Sequence, residues 1–187
     1  MLRIRDERDS AAWSQFVEIY APLIYGFARK RGLQDADSAD VAQDVLQGVS
    51  TAIKKFSYDP SLGSFRGWLF AVTRHKLQKK LSVSKRPGIG VGGTDAVESI
   101  NNQADPTAEL SATWEREYQQ RLFDWAAAQI QRSVNESTWR AFALTAIEGK
   151  KAREVAKELE MTVAAVYLAK SRVTGRLKAL IEQMEAT

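Results

Sequence analysis

The sequence predicts an all-α protein: two small helical domains joined by a flexible linker, the second containing a helix-turn-helix. Three observations carry this. Every periodic apolar segment repeats at helical spacing, and no window alternates at the period of a strand for more than a few residues. Ser82 to Pro106 holds Pro87, four glycines from Gly88 to Gly93, and the polar run Asn101-Asn102-Gln103, the composition of a linker rather than a packed element. Finally, residues 151–167 read as two helices broken by a short turn, with Val155, Ala156, Leu159, Met161 and Val166 inward. The expected divisions are 5–85, a linker over 86–106, and 107–187.

In the first helix Trp13, Phe16, Val17, Tyr20, Ile24, Phe27 and Ala28 share one stripe, and Pro22 is expected to kink or restart it. Asp37 is placed to cap a second helix, with Asp40 in its first turn and Val41, Val45, Val49, Ile53 and Phe56 buried. A turn-rich loop, Ser57 to Ser64, precedes a helix that Ser64 can cap, with Phe65, Trp68, Leu69 and Val72 inward. Beyond the linker, Leu110, Trp114, Tyr118, Leu122 and Trp125 mark a long amphipathic helix. Trp139, Phe142 and Ile147 mark another, closed by Gly149. Thr162 can cap the second helix of the helix-turn-helix, which continues through Val173, Leu177, Leu180, Ile181 and Met184.

The chain has 187 residues, a 44% hydrophobic fraction, no cysteine and one histidine, His75. Disulfides, thiolate metal sites and cysteine nucleophiles are thereby excluded. No nucleophile–base pair, phosphate loop or carboxylate dyad stands out, so no catalytic residue, metal or cofactor is expected. No apolar run reaches the roughly 20 residues of a membrane span, nor is there a signal-peptide pattern, and a cytoplasmic protein without membrane insertion is expected. Net charge is only +4, yet seven Lys or Arg and no acid lie between Asp59 and Asp95, and Gly149 to Lys178 carries eight Lys or Arg against three Glu. Asp35, Asp37, Asp40 and Asp44 fall together without a basic neighbour. Two basic segments separated by an acidic one suggest two contacts with a polyanion.

The first basic segment interleaves aromatics with cations: Phe65, Arg66, Trp68, Phe70, Arg74, His75, Lys76, Lys79, Lys80. Such a surface can hold phosphates while offering ring faces to bases, and stacking contributes roughly 1–3 kcal/mol per base. The second lies on the helix-turn-helix, whose second helix is built to enter the DNA major groove.

Three runs, Asp40-Val41-Ala42-Gln43-Asp44-Val45, Phe56-Ser57-Tyr58-Asp59 and Phe65-Arg66-Gly67-Trp68-Leu69, resemble the promoter-melting domain of bacterial sigma factors, more narrowly the extracytoplasmic-function (ECF) group. The C-terminal half resembles that group's upstream-promoter-binding domain through Glu154-Val155-Ala156, Leu159, Met161, Val166 and Lys170-Ser171-Arg172-Val173. The resemblance implies a non-enzymatic subunit that brings RNA polymerase core to promoters and helps melt them. Asp40, Gln43, Asp44 and Gln47 would dock on the polymerase clamp coiled coil, with the flap as a second polymerase contact. The Ser57–Ser64 loop would capture a flipped base. Tyr58 there either stacks or packs the loop. Phe65, Arg66, Thr73, Arg74, His75, Lys76, Lys79 and Lys80 would hold the melted strand at the −10 element. At the −35 element Tyr167, Leu168, Ser171 and Arg172 would face the groove with Ala165 beside them, while Arg153, Thr162, Lys170 and Arg176 reach phosphate. Many relatives carry Arg or Ser where Tyr167 and Leu168 stand, and Leu168 cannot hydrogen-bond a base edge. An anti-sigma factor is a further partner the resemblance allows. The competing reading is a stand-alone helix-turn-helix regulator with an N-terminal sensing or dimerisation domain.

Overall fold

The structure is a computed structural model that describes residues 3–6, 8–53, 64–84 and 107–185. All its regular elements are helical: a 3₁₀ turn (Arg3–Arg5), α1 (Ser10–Arg29), α2 (Asp35–Ala52), α3 (Phe65–Ser84), α4 (Thr107–Ser133), α5 (Glu136–Phe142), a π turn (Ala143–Ile147), α6 (Ala152–Glu158) and α7 (Val163–Glu185). Two compact units result, residues 2–121 and 122–187. The expected boundary at 107 differs from this division, because the first half of α4 packs within the N-terminal unit.

In that unit α1 is capped by Asp9, whose carboxylate accepts from the Ala12 N–H at 2.8 Å. It runs unbroken through Pro22: no restart occurs, since Leu23, Ile24 and Phe27 keep the second half buried. The helix ends in a Schellman motif. Leu33 N–H bonds the Ala28 carbonyl, Gly32 N–H bonds that of Arg29, and Gly32 takes the left-handed φ of +91° that the turn requires. Helix α2 starts earlier than a cap at Asp37 predicts. Gln34 is the N-cap residue, and Asp35 and Asp37 fall in the first turn, where their charges favour the positive end of the helix dipole. Val41, Val45, Val49 and Ile53 are buried as expected, while Phe56 lies outside the described residues. Ser64 caps α3, accepting from Gly67 N–H at 3.1 Å. The inward face of α3 is Phe65, Leu69, Phe70, Thr73 and Leu77, with Trp68 and Val72 only half-buried.

The first half of α4 closes this core. Trp114 is 2% exposed, its ring edge-on to Phe27 at 5.1 Å and tilted against Phe70 at 5.7 Å. Tyr118 stacks on Tyr20 at 5.5 Å. Glu117 pairs with Lys30 at 2.9 Å and Glu115 with Arg66 at 3.4 Å. Burial first, and then Tyr118, pushes the Tyr20 hydroxyl far above the ordinary tyrosine value of 10.0. The unfolded chain ionises Tyr20 near that ordinary value and the folded chain does not. The resulting stability is therefore intact below about pH 10 and is lost as pH rises above it, by up to about 1.4 kcal/mol per pH unit. Urea midpoints measured at about pH 9 and pH 11 should fall steeply for the native chain and less steeply for Tyr20→Phe.

The C-terminal unit has two apolar clusters. Ala126, Ile130, Phe142, Val173 and Leu177 join α4, α5 and α7. Ala141, Leu144, Val155, Ala156, Val166 and Ala169 join α5, α6 and α7, with Leu159 and Met161 packed against them. Ile147, expected inward, is 56% exposed: the π turn adds residues to the turn of helix and slips the stripe out of phase. Gly149 does end this segment, at φ +72°. Between α6 and α7 the chain turns through Glu160 at φ +53°, with Met161 N–H bonding the Ala156 carbonyl at 2.9 Å. A non-glycine residue in the left-handed region costs about 1–2 kcal/mol, part of which glycine gives back through its looser unfolded state. Glu160→Gly should therefore raise stability by about 0.5–1 kcal/mol, read as a higher denaturant midpoint at constant m.

Candidate nucleic-acid interface

The four acidic and amide positions of α2 divide into two settings. Gln43 and Gln47 are exposed and line a groove of about 620 Å³ between α1 and α2, whose apolar wall includes Trp13, Val17, Pro22 and Leu46. Asp40 and Asp44 stand at the seam with α3. There Lys80 lies 3.0 Å from both Asp37 and Asp40, and Lys76 lies 3.6 Å from Asp44. Hydrogen bonds to Asp40 and then Asp37 raise the Lys80 pKa above the ordinary lysine value. Each pair is solvent-accessible and so contributes no more than about 1 kcal/mol. A phosphate can take over such a lysine at little cost to the fold.

The α3 candidates do not form one surface. Phe65 is 8% exposed, edge-on to Phe16 at 6.0 Å and to Tyr20 at 6.4 Å. Its ring is core, not a stacking platform. Thr73 is fully buried and its hydroxyl donates to the Leu69 carbonyl at 2.8 Å, so it too is withdrawn from the surface. Arg66 is half-buried, its guanidinium over the Tyr118 ring at 4.9 Å and paired with Glu115. Arg74, His75 and Lys76 are half-exposed and Lys79 is exposed, along the outer side of the helix with Lys80. These cations reach the surface, Lys76 and Lys80 as partners of the α2 carboxylates. Tyr58 and the loop through residue 63 lie outside the described residues.

In the helix-turn-helix the Thr162 hydroxyl accepts from Ala165 N–H at 3.1 Å, which caps α7. Val166, Ala169, Val173 and Leu177 face inward, leaving Tyr167, Leu168, Ser171 and Arg172 on the solvent side with Tyr167 61% and Leu168 65% exposed. Arg153 and Lys170 are exposed, and Ala165 is half-buried. Arg176 is exposed and reaches the Ser133 carbonyl at 3.4 Å. The groove wall formed by Trp13 and Val17 was missed by the sequence reading, which assigns both to the core. The available signal was the breadth of the apolar arc on α1, wider than one packed face needs.

Comparison with known proteins bears on whether the helix pair stands alone. Residues 16–86 match sigma-70 region 2. The ECF RNA polymerase sigma factor RpoE of Cereibacter sphaeroides is 33% identical over 87 residues, which are 46% of this chain. The aligned stretch spans 47% of that relative's length. Both findings support the resemblance to ECF sigma factors. The solved structure of CnrH in complex with the cytosolic domain of CnrY is also similar: 21% identity, 97% of this chain and 94% of that chain covered, TM-score 0.36. Within region 2, the groove residues Gln43 and Gln47, the seam pairs and the α3 cations all fall inside the matched segment. Among the described residues no helix is long and apolar enough to cross a membrane, and no acidic or histidine cluster could hold a metal ion.

Proposed function

We propose that the chain is an ECF-type sigma factor, a dissociable and non-enzymatic subunit that directs RNA polymerase core to specific promoters and promotes DNA melting. The observation that carries this reading is the order of parts: a sigma-70 region 2 is followed by a helix-turn-helix whose second helix turns exposed polar and cationic side chains to solvent. The α1–α2 groove with Gln43 and Gln47, together with Asp40 and Asp44, is the surface for the polymerase clamp coiled coil. In the C-terminal unit a second groove, about 630 Å³ and lined by Phe123, Ile147, Leu177 and Ile181, offers an apolar seat for the flap. Lys76, Lys79, Lys80, Arg74 and His75 hold the melted −10 strand, and the outer face of α7 reads the −35 duplex. An anti-sigma factor would act by covering one of these surfaces.

Transcription in vitro with purified core polymerase on genomic fragments tests the reading. New start sites that need both core and this protein support it. A tight duplex footprint by the protein alone, with no start sites beyond core, replaces it with a stand-alone regulator. Arg172→Ala should relax upstream sequence preference while leaving core association intact, because a bidentate arginine–guanine contact discriminates by about 1–3 kcal/mol.

A further inference from the structure

We infer that Leu168, with the Tyr167 ring beside it, selects thymine in the upstream promoter element through the C5 methyl group; this rests on the sigma-factor reading above. Tyr167 and Leu168 are 61% and 65% exposed, and with Val163 they are the large hydrophobics that α7 leaves open. They occupy its second turn, directly after the Thr162 cap, in the N-terminal part of a recognition helix that contacts base edges. On the same face Ala164 lies one turn before them, Ser171 one turn after and Gly175 two turns after, all exposed. Small residues there let the helix lie close to the groove floor. Lys170, Arg172 and Arg176 are exposed within the next turns, which supplies the positive charge that a DNA surface demands. An apolar protein partner would not call for that charge.

The chemistry then narrows to one base. Leu168 has no donor or acceptor, so it draws nothing from the N7, O6, N6 or N4 groups that distinguish the other bases. The thymine methyl is the one apolar group displayed in the major groove. Burying a methyl against a leucine that folding leaves exposed gains binding for thymine alone, worth about fourfold in affinity.

The test replaces each thymine of the upstream element, one at a time, by deoxyuridine. Holoenzyme assembled from core polymerase and the full chain then competes for the paired promoter fragments. For the native chain at least one replacement should weaken binding about fourfold. Leu168→Ala should bring that thymine/uracil ratio to about one, and Tyr167→Phe should preserve it, since only a ring is needed beside the leucine. If no replacement matters while the holoenzyme still initiates at its promoters, methyl readout is overturned and the sigma reading stands. A ratio unchanged in Leu168→Ala overturns the assignment to this residue. If core polymerase gains no start sites from the protein, the sigma reading falls and the inference falls with it.

Discussion

Trp114→Ala is expected to lower the stability of the N-terminal unit by about 3–5 kcal/mol, the range for removing a fully buried tryptophan. The residue lies in α4, beyond the linker, yet its ring sits against Phe27 and Phe70, which belong to α1 and α3. Its indole Nε1 is buried with no hydrogen-bond partner among the described residues, a cost of about 1–3 kcal/mol. The ring's 150–250 Å² of burial, at roughly 25 cal/mol per Å², outweighs that cost with about 4–6 kcal/mol. Trp114→Phe separates the two effects: it removes the orphaned N–H with part of the ring, and should cost far less than the alanine change. Urea unfolding of the full chain, followed by far-ultraviolet circular dichroism, measures both. A loss under about 1 kcal/mol for Trp114→Ala would mean that residues 107–121 do not complete the N-terminal core.

This packing also shows what the sequence could and could not say. The stripe Leu110, Trp114, Tyr118, Leu122, Trp125 announces an amphipathic helix, and α4 is that helix. Periodicity fixes a buried face but not the element that covers it, so nothing in the stripe assigns its first half to the unit before the linker. The caps at Ser64 and Thr162 were legible because a hydroxyl three residues before a free N–H is local chemistry. Asp37 misled for the same reason: four acids in ten residues offer several equivalent caps, and Gln34, with no side-chain cap bond, holds the position. The stripe of α3 puts Phe65 inward while the resemblance sets both Phe65 and Thr73 among the strand contacts, and both side chains are buried. Their burial follows from the phase of α3 against α1, and the composition of a mixed aromatic and basic helix does not encode that phase. The solvent side of α7 was legible, since Val166, Ala169 and Val173 leave only one side for Tyr167, Leu168, Ser171 and Arg172.

The seam between α2 and α3 links the two proposed tasks of the N-terminal unit. Asp40 and Asp44, proposed to meet polymerase, hold Lys80 and Lys76, proposed to meet DNA. The same pairs neutralise both sets of charges when neither partner is bound. On the proposed reading, a basic group on polymerase that takes Asp44 would release Lys76 for a phosphate, and both associations would weaken as salt screens the exposed charges.

Asp44→Arg tests this arrangement and should weaken association with core polymerase by tenfold or more, because charge reversal adds repulsion to the loss of an attractive contact (about 1.4 kcal/mol per tenfold). The change also sets a second cation opposite Lys76, which now lies 3.6 Å from Asp44. That pair is exposed, and its loss costs the fold no more than about 1 kcal/mol, so the variant should remain folded with a urea midpoint close to the native one. Lys76→Ala breaks the same pair from the other side. It should leave core association near the native level while weakening binding to the melted strand, which separates loss of the pair from loss of the docking charge. Affinity capture on core polymerase, read alongside the unfolding midpoint, distinguishes these outcomes. Unchanged capture of Asp44→Arg would remove Asp44 from the docking surface and leave the α1–α2 groove, with Gln43 and Gln47, to carry it alone.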